Sequence, residues 1–184
     1  IGITGSNGKT TVKEWLNICL RKTYNTCKSP KSYNSQVGVG LSVIGLKQDH
    51  EIGIFEAGIS EKGEMIRLKN IIQPSIGIFT NIGQAHSENF ESLKEKTREK
   101  ATLFTEVEKL VYCKDHKEIH DAAISIHNAQ LCYWSFKDNN SFLYVKNIHQ
   151  KADKSTLTLI HNNTEKLFYI PFNDKASTEN CLHV

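Results

Sequence analysis

No stretch of this chain stays apolar for the roughly 20 residues that a membrane-spanning helix needs. Neither sign of charge dominates. Lys and Arg number 23 against 20 Asp and Glu, a net +3, and no dense basic patch interleaves with aromatic residues. That balance gives no reason to expect nucleic acid as a partner. The five cysteines, at 19, 27, 113, 132 and 181, form no CxxC pair and are odd in number. A disulfide framework or a thiolate metal site is therefore not expected, and free thiols in a reducing cytoplasm are. Repeats and low-complexity tracts are absent too. What is left, 184 residues with 39% hydrophobic and 23% charged, suits one globular core and is too short for two comfortable domains.

Short apolar runs recur over the first 135 residues: IGIT at 1–4, IGIFEA at 52–57, SIGIFT at 75–80 and LVYC at 110–113. Segments with helical spacing lie between them. Val12, Trp15, Leu16, Cys19 and Leu20 fit one face, and Met65, Ile66, Leu68, Ile71 and Ile72 fit another that Pro74 ends. Leu93, Ala101, Leu103 and Phe104 mark a third. Strands alternating with helices predict an α/β fold, a mainly parallel sheet with helices on both faces. From about residue 136 the texture changes. SFLYVKNIH, STLTLIHN and EKLFYIPF read as strands separated by the polar turns KDNN and HNNT, a small antiparallel element attached to the parallel core. The chain opens inside an expected strand, and STENCLHV at its end reads as a helix cut short, so a piece of a longer protein is expected.

The first strand runs into GSNGKTT, residues 5–11, which opens the first helix. A glycine-rich strand-to-helix turn aims backbone N–H groups and the positive end of a helix at one point, which favours phosphate. Lys9 adds a mobile cation for the outer phosphates, and Thr10 places a hydroxyl where a magnesium ion would sit. The stretch departs from the full GxxxxGK[ST] pattern, since Ile3 stands five before Gly8, and it lacks the GxGxxG of a dinucleotide site. The guanine-reading NKxD is also missing. Glu56 closes the apolar run IGIFEA at the strand's carboxyl end, where ligands bind in open α/β sheets. A charge there needs a cation, either a metal ion or a nearby lysine.

GSNGKTT resembles the ATP loop of the Mur ligases, the amide-forming enzymes of peptidoglycan assembly, and of their folylpolyglutamate synthetase relatives. SYNSQVGVGLS at 32–42, EAGISEKGEMIRL at 56–68, TNIGQAHSENFESL at 80–93 and EKATLF at 99–104 resemble further family segments in the same order. The last three are most similar to the MurF type, which adds D-Ala-D-Ala to UDP-MurNAc-tripeptide. The likeness is strong over roughly 1–113 and weaker beyond. It covers the central ATPase domain, so the resemblance implies flanking domains, an N-terminal one for the UDP-sugar and a C-terminal one that closes over the site.

The resemblance also implies a chemistry and its residues. ATP activates a carboxylate as an acyl phosphate, which an amine then attacks. Gly5, Ser6, Asn7, Gly8, Lys9, Thr10 and Thr11 would hold ATP. Thr10 and Glu56 would hold one Mg²⁺, and His86 a second. Lys100 matches a family lysine that carries a carbamate and would add another metal ligand, although Lys94, Lys96, Arg98 and Lys100 also fit a solvated helix face. Asn81 matches a residue near the nucleotide and Asn34 one near the substrate carboxylate; either could instead cap a turn. ASTEN at 176–180 stands where HNxxN is expected, which leaves Asn180 as the adenine contact. His116, His120, His127, His149, His161 and His183 match nothing and are expected at the surface. Another Mur ligase, a folylpolyglutamate synthetase-like ligase or a non-catalytic nucleotide-binding module are the alternatives. TNIGQAHSE lacks the DH pair usual in the synthetases.

Overall fold

The computed structural model describes residues 1–83 and 89–184. The elements run β1 (Gly2–Thr4), α1 (Lys9–Leu20), β2 (Thr26–Lys28), α2 (Gln36–Ile44), β3 (Ile52–Glu56), α3 (Glu64–Ile72) and β4 (Ile76–Phe79). They continue with α4 (Leu93–Ala101), a 3-10 turn (Thr102–Phe104), β5 (Lys109–Cys113), α5 (Lys117–Ala123) and β6 (Gln130–Ser135). The last are β7 (Leu143–Gln150), β8 (Ser155–His161), β9 (Thr164–Ile170) and α6 (Lys175–Cys181). Among the described residues no helix is long and apolar enough to cross a membrane.

The strands form a single sheet in the order β2-β3-β1-β4-β5-β6-β7-β8-β9. Every pairing from β2 to β7 is parallel, and β7–β8 and β8–β9 are antiparallel. The expected α/β architecture is therefore present. The C-terminal strands form the expected antiparallel element attached to the parallel core, joined to it through the parallel β6–β7 pair. The chain passes from β3 to β4 across β1, so β1 lies between them, and the loops after β1 and β4 leave in different directions. That is a topological switch point, where the carboxyl ends of an open sheet leave a crevice.

Side-chain alternation along β1 and β4 sorts the core into layers. Ile3 and Ile78 face α1, packing with Val12, Leu16 and Ile54. Phe79 faces the opposite side, among Met65, Leu68, Leu103 and Phe104. Gly77, beside Phe79, has no room for a side chain, because a Cβ would come within 2.7 Å of Phe104 Cε1 and 3.0 Å of Leu110 Cδ1. A third cluster joins Trp134, Val145, Leu157 and Ile170 of the C-terminal strands to Leu182. Trp15 of α1 stacks on Phe172 with ring centroids 4.7 Å apart, which ties the loop's helix to this third cluster.

Periodicity overstated two helical faces. Cys19 and Ile66 are exposed, while Lys13 and Asn17 are buried on α1 and Met65 and Leu68 on α3. Among the histidines expected at the surface, His183 departs furthest from expectation. His183 is only 4% exposed, with Trp134 Nε1 donating to its Nδ1 at 3.4 Å and Thr80 O lying 2.9 Å from its Nε2. Since Nδ1 accepts, Nε2 carries the proton and donates to Thr80. Burial pushes this imidazole down to about 4, so it stays neutral at ordinary pH. His120 is half-buried against Tyr112, whose hydroxyl lies 2.9 Å from His120 Nδ1. Sequence spacing cannot reveal such burial, because it follows from contacts between distant segments.

Candidate active site

The loop after β1 is shaped by two glycines with positive φ, Gly5 at 147° and Gly8 at 83°. A Cβ on Gly5 would lie 2.9 Å from Asn81 O and would overlap the Thr80 hydroxyl, and one on Gly8 would overlap the Asn180 side-chain oxygen. The loop is thus pressed between the end of β4 and α6. Ser6 N donates to Asn81 O at 2.9 Å, Asn7 N donates to Asn81 Oδ1 at 2.9 Å, and Thr80 Oγ1 donates to Asn7 O at 2.6 Å. Asn81 therefore braces the loop, and Asn180 sits half-buried against its second glycine.

Gly8 supplies no side chain to cap α1, and the first turn of α1 carries no acid. By contrast, Ser35, Ser92 and Asp174 cap α2, α4 and α6, and Glu99 Oε1 accepts from Gly63 N and Met65 N at the start of α3. The N–H groups opening α1 are left for an anion, with the helix dipole behind them. Lys9 Nζ folds back on the loop and donates to Gly5 O at 2.9 Å and Ser6 O at 3.3 Å. Thr11 lies half-buried on the first turn.

Thr10 Oγ1 donates to Glu56 Oε2 at 2.9 Å across the β1–β3 pair, in which Ile3 stands opposite Glu56. Glu56 is fully buried, and its Oε1 lies 2.9 Å from the equally buried Lys13 Nζ. The structure thus gives Glu56 a lysine partner as well as the threonine. Lys13 Nζ also donates to Ser29 O at 2.8 Å and to Lys31 O. The ion pair is close but poorly aligned, so Oε1 has no directed hydrogen bond among the described residues. A hydroxyl beside a buried carboxylate oxygen with no aligned donor is a hard-oxygen set that fits Mg²⁺. Among the described residues no group of three or more His, Cys, Asp or Glu could hold a metal ion alone. Mg²⁺ needs no such cage, since it is usually held by one or two carboxylates plus phosphate oxygens. His86 lies outside the described residues.

Beside the loop is a polar cavity of about 250 Å³, lined by Gly5, Ser6, Lys9, Asn34, Lys96 and Lys100 among others. Asn34 reaches it by packing on Gly58, whose N–H donates to Asn34 O at 2.8 Å. Lys100 is 3% exposed. Burial, then the charges of Lys9 and Lys96, push its amine down to about 7. A larger cleft of about 770 Å³ lies elsewhere, between the C-terminal strands and α6, and is lined mainly by apolar residues such as Trp134, Leu157 and Phe168. It holds none of the loop's residues, so the smaller, cationic cavity is the candidate site. Spacing alone did not single out Lys13, Thr80 or Lys96. The signal for Lys96 was its place one helical turn before Lys100.

The family sequence model described as Mur ligase middle domain matches residues 3–184. The chain belongs to the Mur ligase family. Over 103 residues it is 44% identical to the UDP-N-acetylmuramoyl-tripeptide–D-alanyl-D-alanine ligase of Borreliella burgdorferi, covering 56% of this chain and 22% of that protein. Over 185 residues it is 26% identical to the Bacillus subtilis ligase of the same name, covering 99% of this chain and 39% of that one. Among solved structures, MurF of Acinetobacter baumannii superposes with a TM-score of 0.85 at 23% identity, covering 99% of this chain and 40% of that one. MurF of Thermotoga maritima, solved with ADP, gives 0.84 at 21% identity, with 99% and 43% covered. These two likenesses establish the fold of a Mur ligase middle domain. The chain spans well under half the length of these relatives.

Two predictions follow from the buried charges. Glu56→Gln should destabilise the chain by about 3 kcal/mol in metal-free buffer, because it leaves the buried Lys13 ammonium with only the partly exposed Glu14, 3.3 Å away, as a countercharge. Urea unfolding in EDTA measures this, and unchanged stability would mean that the pair does not support the fold. Lys100 makes stability depend on pH. Its amine is depressed in the folded chain, so between pH 7 and its unfolded value the unfolded chain binds more protons. Stability should therefore rise with pH above 7, by up to ~1.4 kcal/mol per pH unit from this group. In CO₂-free buffer without ligand, wild type should gain on Lys100→Met between pH 7 and 9; parallel curves would contradict the assignment.

Proposed function

We propose that this chain is the ATP-binding part of a cytoplasmic amide ligase of peptidoglycan precursor synthesis, joining D-Ala-D-Ala to UDP-MurNAc-tripeptide. Flanking domains would supply most of the substrate recognition. One observation carries the reading: the uncapped start of α1, the loop lysine and the Thr10–Glu56 pair meet at the carboxyl ends of β1 and β3. The relatives of that name support the choice of substrates.

In the proposed reaction a substrate carboxylate oxygen attacks the γ-phosphorus of ATP. The bond from that phosphorus to the β-bridging oxygen breaks, giving ADP and an acyl phosphate. The amine of D-Ala-D-Ala then attacks the acyl carbon, phosphate leaves, and the nitrogen gives up a proton as the amide forms. Both steps need positioning and charge neutralisation more than covalent help from the protein. The α1 amides and Lys9 bind the phosphates, Lys9 exchanging Gly5 O and Ser6 O for phosphate oxygens. Asn34, which lines the cavity, would orient the carboxylate, and Asn180, which lies against Gly8, would meet the adenine. Mg²⁺, held by Thr10 and Glu56, with His86 and a carbamate on Lys100 for a second ion, would offset the repulsion between the two anions. Lys100 suits the carbamate because an amine held near 7 is substantially neutral at physiological pH, and only the neutral amine adds CO₂.

Isothermal titration should show ATP binding that requires Mg²⁺ and weakens about tenfold or more in Lys9→Ala, the loss of a charged hydrogen-bond donor. Binding that ignores both metal and mutation would refute the nucleotide reading. ¹³C NMR after equilibration with ¹³C-bicarbonate should show a carbamate signal that Lys100→Ala removes. A signal surviving that change, or none in either protein, rejects Lys100 as the modified residue.

A further inference from the structure

Helix α4 carries two buried lysines one turn apart, Lys96 at 1% and Lys100 at 3% exposure. At that spacing both stems leave the same face of the helix. That face lines the 250 Å³ cavity, together with Gly5, Ser6 and Lys9 of the loop. The three amines feel one another: Lys96 depresses Lys9, and Lys9 and Lys96 both depress Lys100. Among the described lining residues the one carboxylate is Glu64. Its oxygens already accept from Ser60 N at 2.6 Å, Glu61 N at 2.9 Å and Gln36 Nε2 at 3.3 Å. Lys96 Nζ donates to Gly83 O at 2.7 Å, and Gly83 N in turn donates to Ser6 Oγ at 2.9 Å. The ammonium is thereby fixed beside the phosphate loop by a segment that touches it.

We propose that Lys96 is a further cationic contact for the terminal phosphate of the bound nucleotide, acting with Lys9 across the cavity. The inference rests on the ATP reading and adds a residue to which that reading gave no role. A terminal phosphate carries up to two negative charges and three acceptor oxygens, so it answers a multiply cationic cavity better than a carboxylate does. It is also the group that a loop lysine in the Lys9 position reaches. With a carbamate on Lys100, Lys9 and Lys96 remain as the ammonium groups. ADP lacks the terminal phosphate, so Lys96 should help the site tell ATP from ADP.

The test is isothermal titration of the 184-residue chain with AMP-PNP and with ADP, both with Mg²⁺, in wild type, Lys96→Gln and Lys96→Arg. Glutamine keeps a donor for Gly83 O but no charge. AMP-PNP should bind about tenfold more weakly to Lys96→Gln, with ADP little changed and arginine recovering most of the loss. Equal losses for both nucleotides, or none for either, overturn the proposal. If Lys96→Gln fails to fold, wild type labelled with ¹³Cε-lysine decides instead. The Lys96 resonance should move with AMP-PNP and stay with ADP, and movement with both or neither overturns the proposal. A wild-type chain that binds neither nucleotide defeats the ATP reading and this inference together; unchanged discrimination in Lys96→Gln defeats this inference alone.

Discussion

The site depends on a clamp between the end of β4 and the loop after β1. Thr80 and Asn81 occupy the backbone polar groups of Ser6 and Asn7, and Thr80 N donates to Thr4 O at 2.9 Å to close the sheet beneath them. The loop is therefore held by parallel-sheet neighbours that are far apart in sequence. Its two positive-φ glycines are what let it fit so tightly, because a side chain at either would strike the clamp or α6. His183 extends the same clamp. It donates to Thr80 O and accepts from Trp134, so the segment after α6 and strand β6 both lock onto the end of β4.

Around this clamp the chain concentrates buried charge. Lys13, Glu56, Lys96 and Lys100 are each at most 3% exposed, an arrangement that opposes stability unless each charge finds an opposite or a ligand. The pairs divide the task. Lys13 neutralises Glu56 from below and is itself fastened to backbone carbonyls near β2, which holds the carboxylate in place under Thr10. On the other side of the loop, Lys9 and Lys96 make the cavity cationic, and the depressed amine of Lys100 lines it with them. The buried carboxylate of Glu56 and the cationic cavity thus lie on either side of one glycine loop.

Much of this was legible in the sequence for a physical reason. IGIT, IGIFEA, SIGIFT and LVYC are buried on both faces, so they read as unbroken apolar runs, and the phosphate loop joins a strand to a helix in a pattern set by local geometry. β2 escaped because three residues, TCK, carry no period. The short α5, KEIHDAA, and the mixed strand β6, QLCYWS, were hidden by their own composition. Glu56 could be placed at the sheet's carboxyl edge, but not paired, since its partner lies 43 residues earlier on a helix whose face is fixed by tertiary packing. Lys96 and Lys100 sat in a run of charges typical of a solvated face. Only the docking of α4 against the loop turns that face inward. His183 was unreadable for the same reason.

The two ends of the sheet are unlike. β2 is three residues long and includes Lys28, which is tied to Glu14 at 2.7 Å, so it offers little to a neighbouring chain. β9 is seven residues long, and Leu167, Phe168 and Tyr169 along it are 57%, 50% and 75% exposed. A long edge with apolar side chains is a template for pairing with a foreign strand, and only Glu165, Lys166 and the proline after Ile170 work against it. An edge of this kind is where copies of the chain would pair in solution, and added charge along β9 would oppose that pairing.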